Sequence, residues 1–124
     1  MKLMLDTFAW ILILEEGAAG SKVVKMIEQN QGELYTTAGN LYEVHYRVAE
    51  KYGRAKLLEF ETMIKTEAQI IPIDAELATL AAEMRLKHGL KAIDAFTYAA
   101  AQQLGAKVVT GDKDFAKLKD VMML

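Results

Sequence analysis

Met1-Lys2-Leu3-Met4-Leu5-Asp6 opens the chain and predicts a short buried strand that ends on an acid. Four of its first five residues are apolar, as is typical of a parallel strand covered by helices on both faces. Thr7 then begins an apolar helix that runs to Leu14. Ligands in open α/β sheets bind beyond the carboxyl ends of the strands, so Asp6 is predicted to lie at a ligand-binding edge.

Short strand-like runs alternate with helical segments along the rest of the chain, which predicts an α/β fold with a central parallel sheet of four to five strands. Pro72 near the end of its strand indicates a position toward the sheet edge, and Asp74 is predicted to cap the next helix. The later strands are predicted at residues 33–36, 69–73, 107–110 and 121–124. Helices are predicted at residues 7–14, 20–29, 38–52, 54–65, 75–87 and 92–104, and Val23, Val24 and Ile27 of the second helix are predicted to face inward.

The composition limits the class of protein. With 124 residues, of which 52% are apolar, the chain is expected to form a single domain over residues 1–124. No apolar run approaches the ~18 residues of a membrane span, and Met1 leads directly into the first strand without a signal region. We therefore expect a cytoplasmic protein with no membrane association. The absence of cysteine excludes disulfides, thiolate zinc sites and cysteine nucleophiles.

The net charge of −2 is unusual for a nucleic-acid-binding protein, in which a basic surface is expected. Setting aside Asp6, Glu43, Asp94 and Asp112 as members of one metal site leaves 13 acids against 15 basic residues, a balance of +2. A divalent metal at such a site would attract phosphate, while steering of RNA by the rest of the chain should be modest.

Acidic residues mark the predicted strand ends and two helix starts. No histidine cluster accompanies them, because His45 and His88 each stand alone. Clustered carboxylates without cysteine or histidine favour a hard cation such as Mg²⁺ or Mn²⁺ over zinc. The acids are Asp6, Asp74, Asp112 and Asp114 after strands, and Glu43 and Asp94 near helix N-termini.

Most of these acids also have a purely structural interpretation. Asp6 would cap the first helix, and Asp112 and Asp114 would cap a turn. Asp94 is harder to explain in this way, because it lies off the predicted core stripe and no basic residue follows one turn later. That predicted stripe consists of Ile93, Phe96, Ala100 and Leu104.

Glu43 has the strongest structural alternative. It shares a helical face with Asn40 and Arg47, opposite the apolar stripe, and Arg47 is an ion-pair partner one turn later. The helical wheel therefore predicts a solvated position, unless that face borders a cleft.

Four motifs occur in order: Leu5-Asp6-Thr7, Asn40-Leu41-Tyr42-Glu43, Leu90-Lys91-Ala92-Ile93-Asp94-Ala95 and Thr110-Gly111-Asp112-Lys113-Asp114-Phe115. Their order and spacing resemble the PIN-domain ribonucleases, and especially the VapC toxins of type II toxin–antitoxin systems. The resemblance covers residues 3–115, and the last motif is the most specific. One departure is Thr36-Thr37-Ala38-Gly39, which stands where many relatives carry a serine.

The resemblance implies a PIN-like three-layer α/β/α sandwich with acids gathered at the strand ends. It also implies cleavage of RNA by a water that Mg²⁺ or Mn²⁺ activates, leaving 5′-phosphate and 3′-hydroxyl ends. The implied site consists of the catalytic and metal-binding acids Asp6, Glu43, Asp94 and Asp112, the accessory acid Asp114, and the supporting hydroxyls of Thr7 and Thr110.

The partners that the resemblance implies are RNA, a cognate antitoxin and a second copy of the chain. The first helix is apolar nearly all round, as expected if an antitoxin segment covers what the core does not. One alternative is a PIN-like RNA-binding or assembly module whose acids no longer cut. Another is a phosphoacceptor domain of the response-regulator type, which would need paired acids after the first strand, where Asp6 stands alone.

Overall fold

Five short strands form one parallel sheet in the computed structural model, which describes all 124 residues. The strands are β1 (Leu3–Leu5), β2 (Leu34–Thr37), β3 (Gln69–Ile71), β4 (Lys107–Thr110) and β5 (Val121–Met123). Their order across the sheet is β3-β2-β1-β4-β5, and every neighbouring pair is parallel. The predicted fold class is confirmed, and β3, which precedes Pro72, is an edge strand as expected.

Helices cover both faces of the sheet and give three layers. The helices are α1 (Thr7–Leu14), α2 (Ala18–Gln29), α3 (Ala38–Tyr52), α4 (Arg54–Glu67), α5 (Ala75–His88) and α6 (Ala92–Leu104). The first four pack against one face, and α5 and α6 pack against the other. A 3₁₀ turn at Lys113–Phe115 follows β4. None of the helices has the length and apolar character that crossing a bilayer requires.

The connectivity places a crevice beside the first strand. The chain adds β2 and then β3 on one side of β1, and later adds β4 and β5 on the other side. The direction of winding therefore reverses between β1 and β4. At such a switch point the adjacent connections leave to opposite faces, and a crevice opens beyond the carboxyl ends of the two strands. Asp6 follows β1 and Asp112 follows β4, so both acids lie at this crevice.

Successive side chains of β1 point alternately into two hydrophobic cores, one on each face of the sheet. Leu3 and Leu5 face the cluster that contains Trp10, whereas Met4 faces the cluster formed by α5 and α6. All three are almost completely buried, as expected for the central strand of a covered parallel sheet. The strand is therefore held on both faces, which fixes the backbone on which Asp6 stands.

The predicted core stripe of α6 is incomplete, and one residue of α2 was assigned to the wrong face. In α6, Ile93, Phe96 and Leu104 are only partly buried, whereas Thr97, Tyr98 and residues 99–101 are buried. Helix α6 contacts the sheet, α5 and α3, so no single stripe describes its core face. In α2, Val24 was expected to face inward but is exposed.

Candidate active site

A pocket of about 250 Å³ lies at the switch point, beyond the carboxyl ends of β1 and β4. Four of the sequence-predicted acids line it, although they come from four separate parts of the chain. Its charged lining residues are Asp6, Glu43, Asp94 and Asp112, with the bases Arg47 and Lys91. Thr7 also lines the pocket, and Asp114 lies just outside it.

Asp6 is the most deeply buried of these acids, with only 3% of its surface exposed. One oxygen, Oδ1, accepts a hydrogen bond from the Ala9 backbone N–H at 2.8 Å and so caps α1. Burial raises the pKa of Asp6 to about 7, with smaller contributions from the charges of Asp94 and Asp112, against the lowering effect of bonds from Thr110 and Ala9. The capping role predicted as an alternative is therefore present, but a cap alone does not explain an acid buried at the wall of a polar pocket.

Asp94 stands in the first turn of α6, where the helix N-terminus favours a negative charge. Even so, its pKa is raised to about 6, first by burial and then by the charges of Asp112, Glu43 and Asp114. Lys91 lowers it in part. The shift shows that the acids are close enough to repel one another.

The segment after β4 brings in two more carboxylates. Asp112 Oδ1 accepts a hydrogen bond from the Asp114 backbone N–H at 2.9 Å, which is the predicted capping of the turn. Thr110 Oγ1 accepts from the Asp112 backbone N–H at 2.9 Å, and the same hydroxyl lies close enough to the Asp6 carboxyl to lower its pKa. The predicted supporting residue Thr110 therefore lies beside two of the predicted acids.

Three of the carboxylates form the tightest group. Oxygens of Asp94, Asp112 and Asp114 all lie within 4.8 Å of one another, which is close enough to share one cation. Asp6 and Glu43 are not members of this group but line the same pocket. Asp114, predicted as an accessory acid, therefore belongs to the tightest carboxylate group.

Glu43 is oriented by a hydrogen bond from Thr7, whose Oγ1 donates to Oε1 at 2.8 Å. Its side chain is only 20% exposed, so the solvated position predicted from the helical wheel is wrong. A helical wheel assumes that a helix packs against the core with a single face. Helix α3 instead packs against both α1 and α6, so the face that carries Glu43 lies toward the pocket. The predicted ion pair with Arg47 is long, with 3.9 Å between Nη2 and Oε2.

A buried polar network stands behind Thr7, and the sequence analysis missed it. Asn40, only 1% exposed, donates from Nδ2 to Thr7 Oγ1 at 3.2 Å. Its Oδ1 accepts from Thr37 Oγ1 at 2.8 Å and lies 3.1 Å from Thr97 Oγ1. The network links α3 and α6 to the hydroxyl that holds Glu43. Its sequence signal is the spacing of Thr37 and Asn40, which form a capping box at the start of α3.

Phe8 closes one side of the pocket through a close approach that only glycine permits. A Cβ on Gly111 would lie 2.3 Å from the Phe8 ring, so the absence of a side chain lets the ring lie over the end of β4. The apolar ring borders the acids and raises the cost of leaving them charged and unpaired.

The donor set suits a hard divalent cation. Every acid offers carboxylate oxygens, and no imidazole or thiolate is among the pocket's lining residues. Asp6, Asp94, Asp112 and Asp114 form no ion pair with any basic side chain. A divalent cation would offset their mutual repulsion, and oxygen ligands are those that Mg²⁺ and Mn²⁺ prefer.

The PIN domain family matches residues 3–121 of this chain. No curated protein matches it. Solved structures share the fold at low identity. A toxin–antitoxin complex from Klebsiella pneumoniae has a TM-score of 0.78 and 21% identity, with 98% of this chain and 97% of that chain covered. The sarcin–ricin loop cleaving toxin VapC20 from Mycobacterium tuberculosis has a TM-score of 0.82 and 17% identity, with 97% of both covered. DNA-bound VapBC from Salmonella typhimurium has a TM-score of 0.81 and 16% identity, with 100% and 97% covered.

Proposed function

This chain belongs to the PIN-domain family, and from that premise we propose that it is a metal-dependent RNA endonuclease, the toxin of a toxin–antitoxin pair. The observation that carries the proposal is the pocket at the switch point. Four acids line it, two of them have a pKa near neutrality, and no basic side chain forms a close ion pair with those two. Such an arrangement costs free energy unless the acids have a ligand to bind.

We assign the metal-holding role to Asp94 and Asp112, with Asp6 and Glu43 on the opposite walls and Asp114 as an accessory ligand. Mg²⁺ or Mn²⁺ bound there would supply a Lewis acid that activates water and offsets charge on a phosphodiester. The protein's own part is positioning. Thr7 fixes one oxygen of Glu43, and Thr110 holds the backbone of Asp112 beside Asp6.

The two basic residues of the pocket bind the substrate in this proposal. Arg47 and Lys91 both line the pocket, and the only ion pair that either makes there is the long one between Arg47 and Glu43. Their cations suit the non-bridging oxygens of a phosphodiester. Phe8 lines the pocket beside Asp6, which is only 3% exposed and would hold a proton near neutral pH.

The test is cleavage of a labelled RNA by the purified chain with Mg²⁺ or Mn²⁺, and its loss with EDTA. Asp94→Asn should lower the rate by at least ~100-fold, because the amide has the same shape but is a poor metal ligand, and even indirect partners of metal ligands are worth 10–100-fold. Asp74→Asn is the matched control. Asp74 also follows a strand and caps a helix, but it is exposed and does not line the pocket, so the rate of this variant should stay within about twofold of the parent.

Equal rates for Asp94→Asn and the parent would remove the assigned role. RNA binding without cleavage, at any metal concentration, would instead support the alternative of a non-cleaving RNA-binding or assembly module.

We include an antitoxin and a second copy of the chain among the partners. A groove of about 400 Å³ runs between α1 and α3, lined in part by Ile11, Val48 and Tyr52. Tyr42 and Leu58 are each 65% exposed on the neighbouring helices α3 and α4. Co-expression with the small protein of the adjacent reading frame should give a complex with suppressed cleavage, and light scattering of the free chain should give twice its mass. A monomer that no such protein binds would contradict this part.

A further inference from the structure

A second concavity, of about 730 Å³, lies beside the acid-lined pocket and has the opposite charge. Four lysines line it, all exposed, and none forms an ion pair within the chain. Asp114 is the only acid on its wall. The charged residues of this lysine groove are Lys87, Lys113, Lys117, Lys119 and Asp114, and its aromatic residues are His88 and Tyr98.

The concentration of charge is out of proportion to the composition. The whole chain carries a net charge of −2, with 15 lysines and arginines among its 124 residues. Three of the groove's lysines lie within seven consecutive positions, from Lys113 to Lys119. Several unpaired cations of one sign around a concave surface create a local field that attracts a polyanion.

The segment that carries these lysines is anchored from beneath. Phe115 is completely buried, and the Tyr98 hydroxyl, itself in a buried residue, donates to the Lys119 carbonyl at 3.1 Å. The Asp120 carbonyl accepts from the Val108 N–H at 2.9 Å, which attaches the far end of the segment to β4. The lysine ammonium groups therefore project from a backbone that the core holds in place.

The groove and the pocket share one loop. Lys113 lies between Asp112 and Asp114, and Asp114 belongs both to the tight carboxylate group and to the wall of the groove. A chain of phosphates with one phosphodiester at the acids would therefore pass directly onto the lysines. His88 adds an exposed aromatic ring, perpendicular to Tyr98 with 5.7 Å between centroids, against which an unstacked base can lie.

We propose that the lysine groove binds the phosphate backbone of the RNA strand that continues beyond the cleaved bond. This rests on the proposed function, because it names how that substrate is held. A protein partner fits the groove less well, since protein–protein interfaces are depleted in lysine and favour apolar centres, whereas this wall is ringed by lysines. Single strands and loops are the expected targets, because their bases are free to stack.

The experiment measures binding without cleavage. Fluorescence anisotropy with a labelled RNA stem-loop, in EDTA, compares Lys117→Ala/Lys119→Ala with the matched pair Lys22→Ala/Lys25→Ala. The control lysines are also exposed and unpaired, but they lie on α2 across the sheet from the groove. Each lysine that neutralises a phosphate of a single strand raises the binding affinity roughly fivefold at ~0.1 M salt relative to 1 M salt.

We therefore expect the double variant Lys117→Ala/Lys119→Ala to bind RNA more weakly, on the order of 20-fold. The slope of log affinity against log salt should become shallower by about 1.4. The control Lys22→Ala/Lys25→Ala should bind RNA within about twofold of the parent, and Lys117→Arg/Lys119→Arg should retain the parent's affinity. All variants should have the melting temperature of the parent. An equal loss of RNA affinity in both alanine variants would show that only the net charge matters and would overturn the proposal. The absence of a loss in either variant would also overturn it. A polyglutamate peptide that competes as well as RNA would assign the groove to an acidic polypeptide instead.

The outcome is separable from that of the nuclease proposal. If the parent never cuts RNA but only Lys117→Ala/Lys119→Ala loses affinity, the groove proposal is supported and the nuclease proposal is contradicted. If Lys117→Ala/Lys119→Ala cuts RNA with the parent's KM and kcat, the nuclease proposal is supported and the groove proposal is contradicted.

Discussion

Asp6 and Asp74 are built on the same local plan, yet only one of them lies in a pocket. Each follows a short parallel strand, has an extended backbone and caps the next helix, with Oδ1 accepting a backbone N–H at 2.8 Å. Asp6 follows the central strand and is 3% exposed, whereas Asp74 follows the edge strand β3 and is exposed. The local sequence signal is the same at both sites.

The difference comes from position in the sheet. Beside Asp6 the winding reverses, and β4 brings Thr110 and Asp112 alongside, while α3 and α6 bring Glu43 and Asp94 from above. Beside Asp74 there is only one neighbouring strand, and Asp74 belongs to no group of clustered carboxylates. A strand-end acid thus becomes a candidate ligand through topology, and it remains a cap where topology supplies no partners.

The largest expected difference between the two sites is in the pH dependence of stability. The pKa of Asp6 is raised from 3.8 to about 7 in the folded protein. Below pH 3.8 the carboxyl is protonated in both states, and its contribution to stability is fully present. As the pH rises toward 7 the unfolded chain releases the proton first, so the free energy of unfolding falls, by about 4 kcal/mol in total from this group.

Thermal melting in EDTA at about pH 5 and about pH 8 measures the larger part of this fall, about 3 kcal/mol, because the unfolded chain has already lost the proton at pH 5. The parent should melt lower at the higher pH, and Asp6→Asn should remove much of the difference, since asparagine keeps the cap and cannot ionise. Asp94, whose pKa is also raised, should account for part of what remains. Asp74→Asn should keep the parent's dependence, and an Asp6→Asn protein that also keeps it would show that the burial of Asp6 is not costly.

How far the sequence predicts each site follows from the same comparison. Alternation and turn signals predicted the bounds of α3, α6 and β4 as the structure has them, and the cap at Asp74. These features depend on contacts within a few residues. The carboxylates around Asp6 depend on strand order, which no local pattern contains, and their grouping was inferred from family resemblance.

Asn40 and Asp114 show where that inference stops. Asn40 lies on the face of α3 that a helical wheel assigns to solvent, yet it is buried because α6 packs over the start of α3. The family resemblance implied only an accessory role for Asp114, whereas the 3₁₀ turn Lys113–Phe115 places its carboxylate within 4.8 Å of Asp94 and Asp112.

Asn40 also gives the second prediction, because Asp6 has a polar network nearby that Asp74 lacks. Asn40→Ala removes the donor to Thr7 and so frees the hydroxyl that orients Glu43. We expect a 10–100-fold loss in RNA cleavage and a similar rise in the Mn²⁺ concentration needed for half-maximal rate. Asn30→Ala, which loses a single bond to the Met26 carbonyl away from the pocket, should leave both unchanged.

A loss of stability without any change in the Mn²⁺ requirement would make the network structural only. The metal requirement is the informative measurement, since unpaired buried hydroxyls lower stability by about 1–3 kcal/mol whether or not they serve the site.

The smallest expected effect separates the cap from the charge. Replacing Asp by Asn removes charge and keeps the capping oxygen, and replacing Asn by Ala then removes the cap alone. At position 74 the first step should be nearly neutral, and the second should cost about 1 kcal/mol, because water can reach the exposed helix end. At position 6 the first step should stabilise the metal-free protein near pH 8. The second step should cost at least as much as at position 74, since the Ala9 N–H is left without a partner in the core.

Urea unfolding of Asp6→Asn, Asp6→Ala, Asp74→Asn and Asp74→Ala gives all four steps. If the Asp-to-Asn step has the same sign and size at both positions, the two acids are equivalent caps, and the distinction drawn from sheet position is wrong.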